Sequence, residues 1–114
     1  MTRMTMLILS PPHSDESAEH MCGLSNRAIE RGMEVAVYLL GDGVLCSKKG
    51  QRGHIGLNIR AALSKGITVK ASAKDLRARA ITTEQVEQGV EIVEDLEGEF
   101  VEDVMERSER VITW

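Results

Sequence analysis

The chain of 114 residues has the length of one compact domain, and we expect residues 1–114 to form a single domain. Its 14 basic and 18 acidic side chains give a net charge of −4, and only 3% of its residues are aromatic. A chain without a basic excess and without aromatic stacking platforms lacks the usual means of holding nucleic acid, so direct nucleic-acid binding is not expected.

The sequence also shows no feature of a membrane or secreted protein. No apolar run approaches the ~20 residues that a membrane-spanning helix requires, and Met1–Ser10 lacks a signal-peptide cleavage pattern. The cysteines Cys22 and Cys46 cannot form a disulfide framework. We therefore expect a cytoplasmic protein with free thiols and no membrane contact.

Short apolar runs alternate with helical patterns along the chain. The runs predict strands at Met4–Leu9, Glu34–Leu40, Ile67–Ala71, Val90–Val93 and Arg110–Trp114. The helical patterns cover about Asp15–Arg31, the region of Ile55–Leu63, Ala73–Arg79 and about Gly98–Ser108. This alternation predicts an α/β fold, a three-layer α/β/α sandwich with a mostly parallel sheet of about five strands.

Three further patterns set expectations for the second half of the chain and its loops. Residues 41–53 are predicted as a long polar loop, and Thr82–Gln85 has the sequence of a helix capping box. The acidic stretch Glu91–Asp103 is interpreted as a solvated surface. The last helix is predicted to carry Phe100, Val101, Val104 and Met105 on one face.

Parallel strands gather their following loops at the carboxyl edge of the sheet, where such sheets bind ligands. One loop there carries His13, a candidate base or anion ligand, although a solvated loop histidine is the favoured interpretation. Asp42 is interpreted first as a turn residue and second as an acid of a site. Lys48, Lys49 and Arg52 form either a local anion-binding patch or a solvated loop.

Cys46 is the candidate nucleophile of this edge, because cationic neighbours such as Lys48 favour the thiolate. The alternative is a small loop residue or a buried, weakly hydrophobic one. Cys22 fits the apolar stripe of the first helix and is interpreted as structural. No spacing of His and Cys matches a metal site, and no metal or cofactor is expected.

The order of segments resembles the DsrE/DsrF-like family and, within it, the YchN-like proteins. The resemblance extends from Met4 to Trp114. It is carried by VYLLGDGV (Val37–Val44), KKGQ (Lys48–Gln51), LNIRAAL (Leu57–Leu63), ITVKASAKDLRARAI (Ile67–Ile81), QGVEI (Gln88–Ile92) and SERVITW (Ser108–Trp114). The resemblance implies an α/β/α sandwich that assembles into homotrimers or homohexamers. It also implies, for several members, a persulfide on a cysteine just after the third strand, which is handed to a partner protein.

This chain departs from that pattern at the relay position itself. Aligned with the family, Ser72 stands in place of the relay cysteine, Asp75 in place of a second cysteine, and Ala80 in place of a glycine. A serine hydroxyl cannot carry sulfane sulfur, and its high pKa demands an adjacent base before it can act as a nucleophile.

Two hypotheses follow from this departure, with a third of a different class. In the first, the protein binds a small ligand or a partner in a pocket at subunit junctions, lined by Pro12, His13, Asp42, Lys48 and Ser72. In the second, Cys46 takes over the sulfur transfer. In the third, Ser72 is the nucleophile of a hydrolase, although Ala71 and Ala73 replace the paired glycines of the usual nucleophile turn.

Overall fold

The computed structural model describes residues 2–9, 11, 17–49 and 54–113, with the backbone alone described for 17–22 and 54–58. Among these residues, five strands form one sheet: β1 (Arg3–Ile8), β2 (Glu34–Leu39), β3 (Thr68–Ser72), β4 (Glu91–Val93) and β5 (Arg110–Thr113). The order is β4-β3-β2-β1-β5, and every pairing is parallel. The α/β fold and the parallel sheet predicted from the sequence are confirmed.

Helices connect the strands close to the predicted positions. They are α1 (Ser17–Glu30), α2 (His54–Ser64), α3 (Ala73–Ala78) and α4 (Leu96–Glu106). The predicted capping box closes the 3₁₀ turn Thr83–Gln85, where the Gln85 side chain accepts the Thr82 N–H at 2.9 Å. Within the described residues, no helix has both the length and the apolar character needed to cross a bilayer.

The two faces of the sheet carry separate cores, because successive side chains of a strand point to opposite faces. The larger core packs Val37 and Leu39 of β2 against Ala28 of α1 and Ile59 of α2. The smaller core packs β2 against α4 and includes Tyr38, Leu96 and Phe100. Helices therefore cover both faces, which makes the architecture an α/β/α sandwich.

Asp103 of α4 is fully buried and anchors this helix to the sheet. Arg3 donates to both of its carboxylate oxygens, from Nε at 2.8 Å and from Nη2 at 2.7 Å. The Tyr38 hydroxyl donates at 2.5 Å and the Ser108 hydroxyl at 2.9 Å. Ser108 also shares a hydrogen bond with Thr5. One carboxylate thus joins β1, β2, α4 and the turn that leads into β5.

These hydrogen bonds decide the ionisation of the buried groups. Burial disfavours the charged carboxylate, but the hydrogen bonds from Arg3, Tyr38 and Ser108 outweigh it and hold the pKa of Asp103 well below its usual range. Burial and the hydrogen bond to Asp103 both raise the pKa of Tyr38. Asp103 therefore stays ionised and Tyr38 stays a hydrogen-bond donor at neutral pH.

The position of Asp103 corrects two predictions for the last helix. The acidic stretch is not wholly solvated, since Asp103 is buried. The apolar residues predicted on one face are also not all buried, because Val101 is 59% exposed and Met105 is 78% exposed. The helix is rotated so that Leu96 and Asp103 face the sheet, because a carboxylate paired with Arg3 is stable in the interior.

The predicted polar loop after β2 begins as a 3₁₀ helix, Gly41–Ser47, with Val44 and Cys46 buried. This segment lies directly over the end of β1. A Cβ atom placed on Gly43 would stand 2.0 Å from the carbonyl oxygen of Ile8. The absence of a side chain at Gly43 is therefore what allows the segment to approach the sheet.

Gly43→Ala is expected to lower the free energy of unfolding by about 3 kcal/mol, because the new methyl group meets backbone atoms that cannot move aside. Gly23→Ala is the matched control. Nothing lies within 4 Å of a Cβ atom there, and alanine in a helix interior adds about 0.5–1 kcal/mol of stability. Urea unfolding of both variants measures the effects, and equal effects would contradict the close approach.

Asp103→Asn is expected to lower the free energy of unfolding by about 3 kcal/mol at neutral pH, because it removes the buried one of the two carboxylates that pair with the largely buried Arg3 guanidinium, and Glu34 alone remains. The pKa of Asp103 is lowered in the fold. The carboxylate therefore stabilises the fold above its unfolded pKa and loses this contribution as the pH falls. Urea titrations should show the difference from wild type shrinking below about pH 5.

Glu94→Gln is the control for this pH series, because Glu94 forms an exposed ion pair with Arg77 and water screens such a pair. It should change stability little at any pH. A difference between Asp103→Asn and wild type that stays constant from neutral to acidic pH would refute the assignment.

Candidate functional site

The carboxyl ends of three neighbouring strands meet at one edge of the sheet, as predicted. β1 ends at Ile8, β2 at Leu39 and β3 at Ser72, and the three strands are parallel and adjacent. The 3₁₀ segment follows β2 at this edge, and α3 follows β3. Pro12 and His13, predicted for the same place, lie outside the described residues.

Ser72 is buried and forms the N-cap of α3. Its hydroxyl accepts a hydrogen bond from the Asp75 backbone N–H at 3.2 Å. Serine is a favoured N-cap residue because this bond satisfies a backbone donor that the first helical turn leaves free. The resemblance assigns position 72 to the relay cysteine. In this chain the residue there is a serine whose hydroxyl caps α3.

Asp75 and Arg79 connect α3 to the 3₁₀ segment. The Asp75 carboxylate accepts the Gly41 N–H at 2.9 Å. Arg79 donates from Nη2 to Asp42 Oδ1 at 2.8 Å, from Nε to the same oxygen at 3.0 Å, and from Nη1 to the Asp75 carbonyl at 3.0 Å. Asp42 and Ser72, both predicted site residues, are thus brought together through Asp75 and Arg79.

We call Asp42, Ser72, Asp75 and Arg79 the edge cluster. Arg79 was missed by the sequence analysis, although its position four residues after Asp75 on one helix was the available signal. Asp42 is exposed and Arg79 half-buried, so this ion pair is open to solvent. The cluster can hold a polar or charged group by exchanging its own hydrogen bonds for those of a ligand.

Cys46 lies inside the larger core, with 2% of its surface exposed. The sequence suggested a thiol on a polar loop beside cations, whereas the 3₁₀ segment turns this side chain inward between the sheet and the helices. A thiol in this position meets a dissolved reagent only when the segment opens.

Lys48 lies on the surface, at the end of the 3₁₀ segment. Its backbone forms an antiparallel bridge with Val86. Two further backbone bonds reinforce the bridge, from Lys49 N–H to Gln85 at 2.6 Å and from Glu87 N–H to Ser47 at 2.7 Å. Lys48 is therefore held against the chain that follows the 3₁₀ turn Thr83–Gln85. Asp42, by contrast, is paired with Arg79.

The chemistry of the described site is hydrogen bonding and ion pairing. In the part of the chain that the structure describes, no group of three or more His, Cys, Asp and Glu side chains is placed to hold a metal ion. Every buried side-chain nitrogen or oxygen among these residues has a hydrogen-bond partner. The Ser72 hydroxyl, in particular, is occupied by the α3 cap.

The fold and this edge define a class of protein: a small α/β/α sandwich with a parallel sheet and a helix capped at the carboxyl end of its third strand. The DsrE/DsrF-like family matches the chain over residues 2–114. The chain belongs to this family.

Individual proteins are similar to this chain over most of its length. The uncharacterized protein MK0008 of Methanopyrus kandleri is 30% identical over 93 residues, which cover 78% of this chain and 77% of that protein. The crystal structure of the YchN protein of Escherichia coli is similar over 100% of both chains, with a TM-score of 0.86 and 21% identity.

Two other solved structures share the fold. The protein of unknown function MTH1491 from Methanobacterium thermoautotrophicum is similar over 100% of both chains, with a TM-score of 0.81 and 18% identity. The conserved protein of unknown function BT1422 from Bacteroides thetaiotaomicron has a TM-score of 0.72 and 15% identity, over 98% of this chain and 94% of that one. Because their identities are 21%, 18% and 15%, the three structures support the fold alone.

Proposed function

We propose that this DsrE-like protein binds a small ligand or a partner protein at the carboxyl edge of its sheet and does not relay sulfur through the position of Ser72. The observation that carries the proposal is the Ser72 hydroxyl, which caps α3 in place of a sulfur-accepting thiol. We further propose that residues 1–114 form one cytoplasmic domain that binds neither nucleic acid nor membranes.

The edge cluster supports binding because its charged groups are accessible. The Asp42–Arg79 ion pair is partly solvated, and an exposed pair contributes little stability of its own. A ligand with an acceptor group can therefore compete for Arg79, and one with a donor group can compete for Asp42. The Ser72 and Asp75 bonds meanwhile keep α3 and the 3₁₀ segment in place around it.

The second candidate function is sulfur relay through Cys46. In that reaction the Cys46 thiolate attacks the outer sulfur of a donor persulfide, so that Cys46 gains the sulfur as a persulfide and the donor leaves as a thiol. This candidate is suggested by the family resemblance, which implies sulfur relay for several members. The burial of Cys46 weighs against it, because the 3₁₀ segment must open before the donor can reach the thiol.

Mass spectrometry after incubation with a low-molecular-weight persulfide donor tests both candidates. Wild type should gain no sulfur on Cys46. Ser72→Cys should gain one sulfur atom on the introduced thiol, because α3 begins there and a helix N-terminus stabilises the thiolate. Ser72 and Cys46 are both buried, so the comparison isolates the effect of the helix N-terminus. Ser64→Cys is the matched control, since Ser64 is exposed at the end of α2. It should react more slowly.

Peptide mapping locates any sulfur that is gained. A sulfur on wild-type Cys46 that disappears in Cys46→Ser and persists in Cys22→Ser would overturn the binding proposal in favour of relay. Equal reaction of the Ser72→Cys and Ser64→Cys variants would show that the α3 cap has no special reactivity.

We also propose that the protein forms a homotrimer or homohexamer, as the family resemblance implies. Exposed apolar side chains on α4 support association, because Val101 and Met105 lie one turn apart and both face solvent in the single chain. Burial of this surface between subunits would add stability that a short chain needs.

Size-exclusion chromatography with light scattering is expected to give a mass of three or six chains. The double variant V101K/M105K should shift the protein toward the monomer, because two buried charges oppose association. Leu24→Lys, at an exposed apolar residue of α1, is the control and should leave the mass unchanged. A wild-type monomer at high protein concentration would contradict the proposal.

A further inference from the structure

A cleft of about 470 Å³ opens beside α3 and β4. None of the edge-cluster residues lines it, although Leu76 and Arg77 of its lining belong to the same short helix as Asp75. This volume falls within the range of about 300–1,000 Å³ that is usual for small-molecule sites. The lining is mostly apolar and includes Leu76, Ala80, Ile81 and Ile92. A cleft of this size and character favours the apolar body of a small molecule.

One ion pair supplies the charges of the cleft. Arg77 of α3 donates from Nη1 to Glu94 Oε1 at 2.8 Å and from Nη2 to Oε2 at 2.9 Å, and both residues line the cleft. The Arg77 side chain is 62% exposed and that of Glu94 is 73% exposed. Because water already competes for such a pair, a ligand can replace one partner at little cost.

The surroundings favour replacement of Glu94 rather than Arg77. Glu94 immediately precedes Asp95, the N-cap of the eleven-residue α4, and the N-terminus of a helix stabilises a nearby carboxylate. The carboxylates of Asp95, Glu97 and Glu99 oppose this effect, so the helix end alone does not decide which partner is replaced. Arg77 lies in the last turn of the six-residue α3. The C-terminus of so short a helix stabilises a displaced cation less than the longer α4 stabilises a carboxylate. The guanidinium also presents the paired donors that match a carboxylate.

We propose that this cleft binds a small apolar carboxylic acid in its ionised form. The ligand carboxylate takes the place of Glu94 on Arg77, and the apolar body lies against Leu76 and Ile92. Thr82 and Thr83 add hydroxyl groups to the lining. The site uses none of the side chains of the edge cluster, although it shares α3 with them.

Calorimetric titration of the full-length protein with octanoate tests the proposal, with octanol and octylamine as neutral and cationic probes of the same chain length. Octanoate should bind more tightly than either. Arg77→Gln should weaken octanoate binding about tenfold, the scale of one lost charge-assisted pair. Glu94→Gln should strengthen octanoate binding, because this variant frees Arg77. Both substitutions are at exposed positions, so neither should disturb folding.

The pair Arg60 and Glu87 provides the matched control, since Arg60 Nη1 lies 2.9 Å from Glu87 Oε1 outside the cleft lining. Arg60→Gln should leave octanoate binding unchanged. The proposal is overturned if wild type does not bind octanoate, if octanol or octylamine binds as tightly, or if Arg77→Gln and Arg60→Gln have equal effects. Stronger binding of octylamine would assign the site to cations held by Glu94.

Discussion

The ion pair between Asp103 and Arg3 is the interaction on which the arrangement of this fold depends. α4 has to carry the chain from β4 at one edge of the sheet to β5 at the other, and it does so across the face opposite α1 and α2. The apolar contacts of this face are few. A buried carboxylate with four hydrogen bonds therefore sets both the position and the rotation of the helix.

This rotation has effects beyond the core. Once Asp103 faces the sheet, Val101 and Met105 must face outward, which supplies the apolar surface for association of subunits. At the start of the same helix, Lys70 of β3 pairs with Glu99 at 2.8 Å. Anchoring α4 here also sets where the backbone at Glu94 lies, just before the helix and at the cleft. Core, surface and cleft are thus connected through one helix.

The sequence was sufficient to predict the strands and helices, because short apolar runs and helical spacing are local signals. It was also sufficient to place Asp42 and Ser72 at one edge, since parallel connectivity alone dictates that meeting. The burial of Asp103 could not be predicted, because it depends on Arg3, a partner 100 residues away. The inward turn of Cys46 depends likewise on Gly43, whose contact with β1 exists only in the folded chain.

Ala80 holds a positive φ of 56°, a left-handed conformation that costs a residue with a side chain about 1–2 kcal/mol. The resemblance to the family gives this position to glycine, which adopts the same conformation freely. The methyl group of Ala80 contributes to the cleft lining. At position 80 this chain therefore combines a strained backbone conformation with an alanine that lines the cleft.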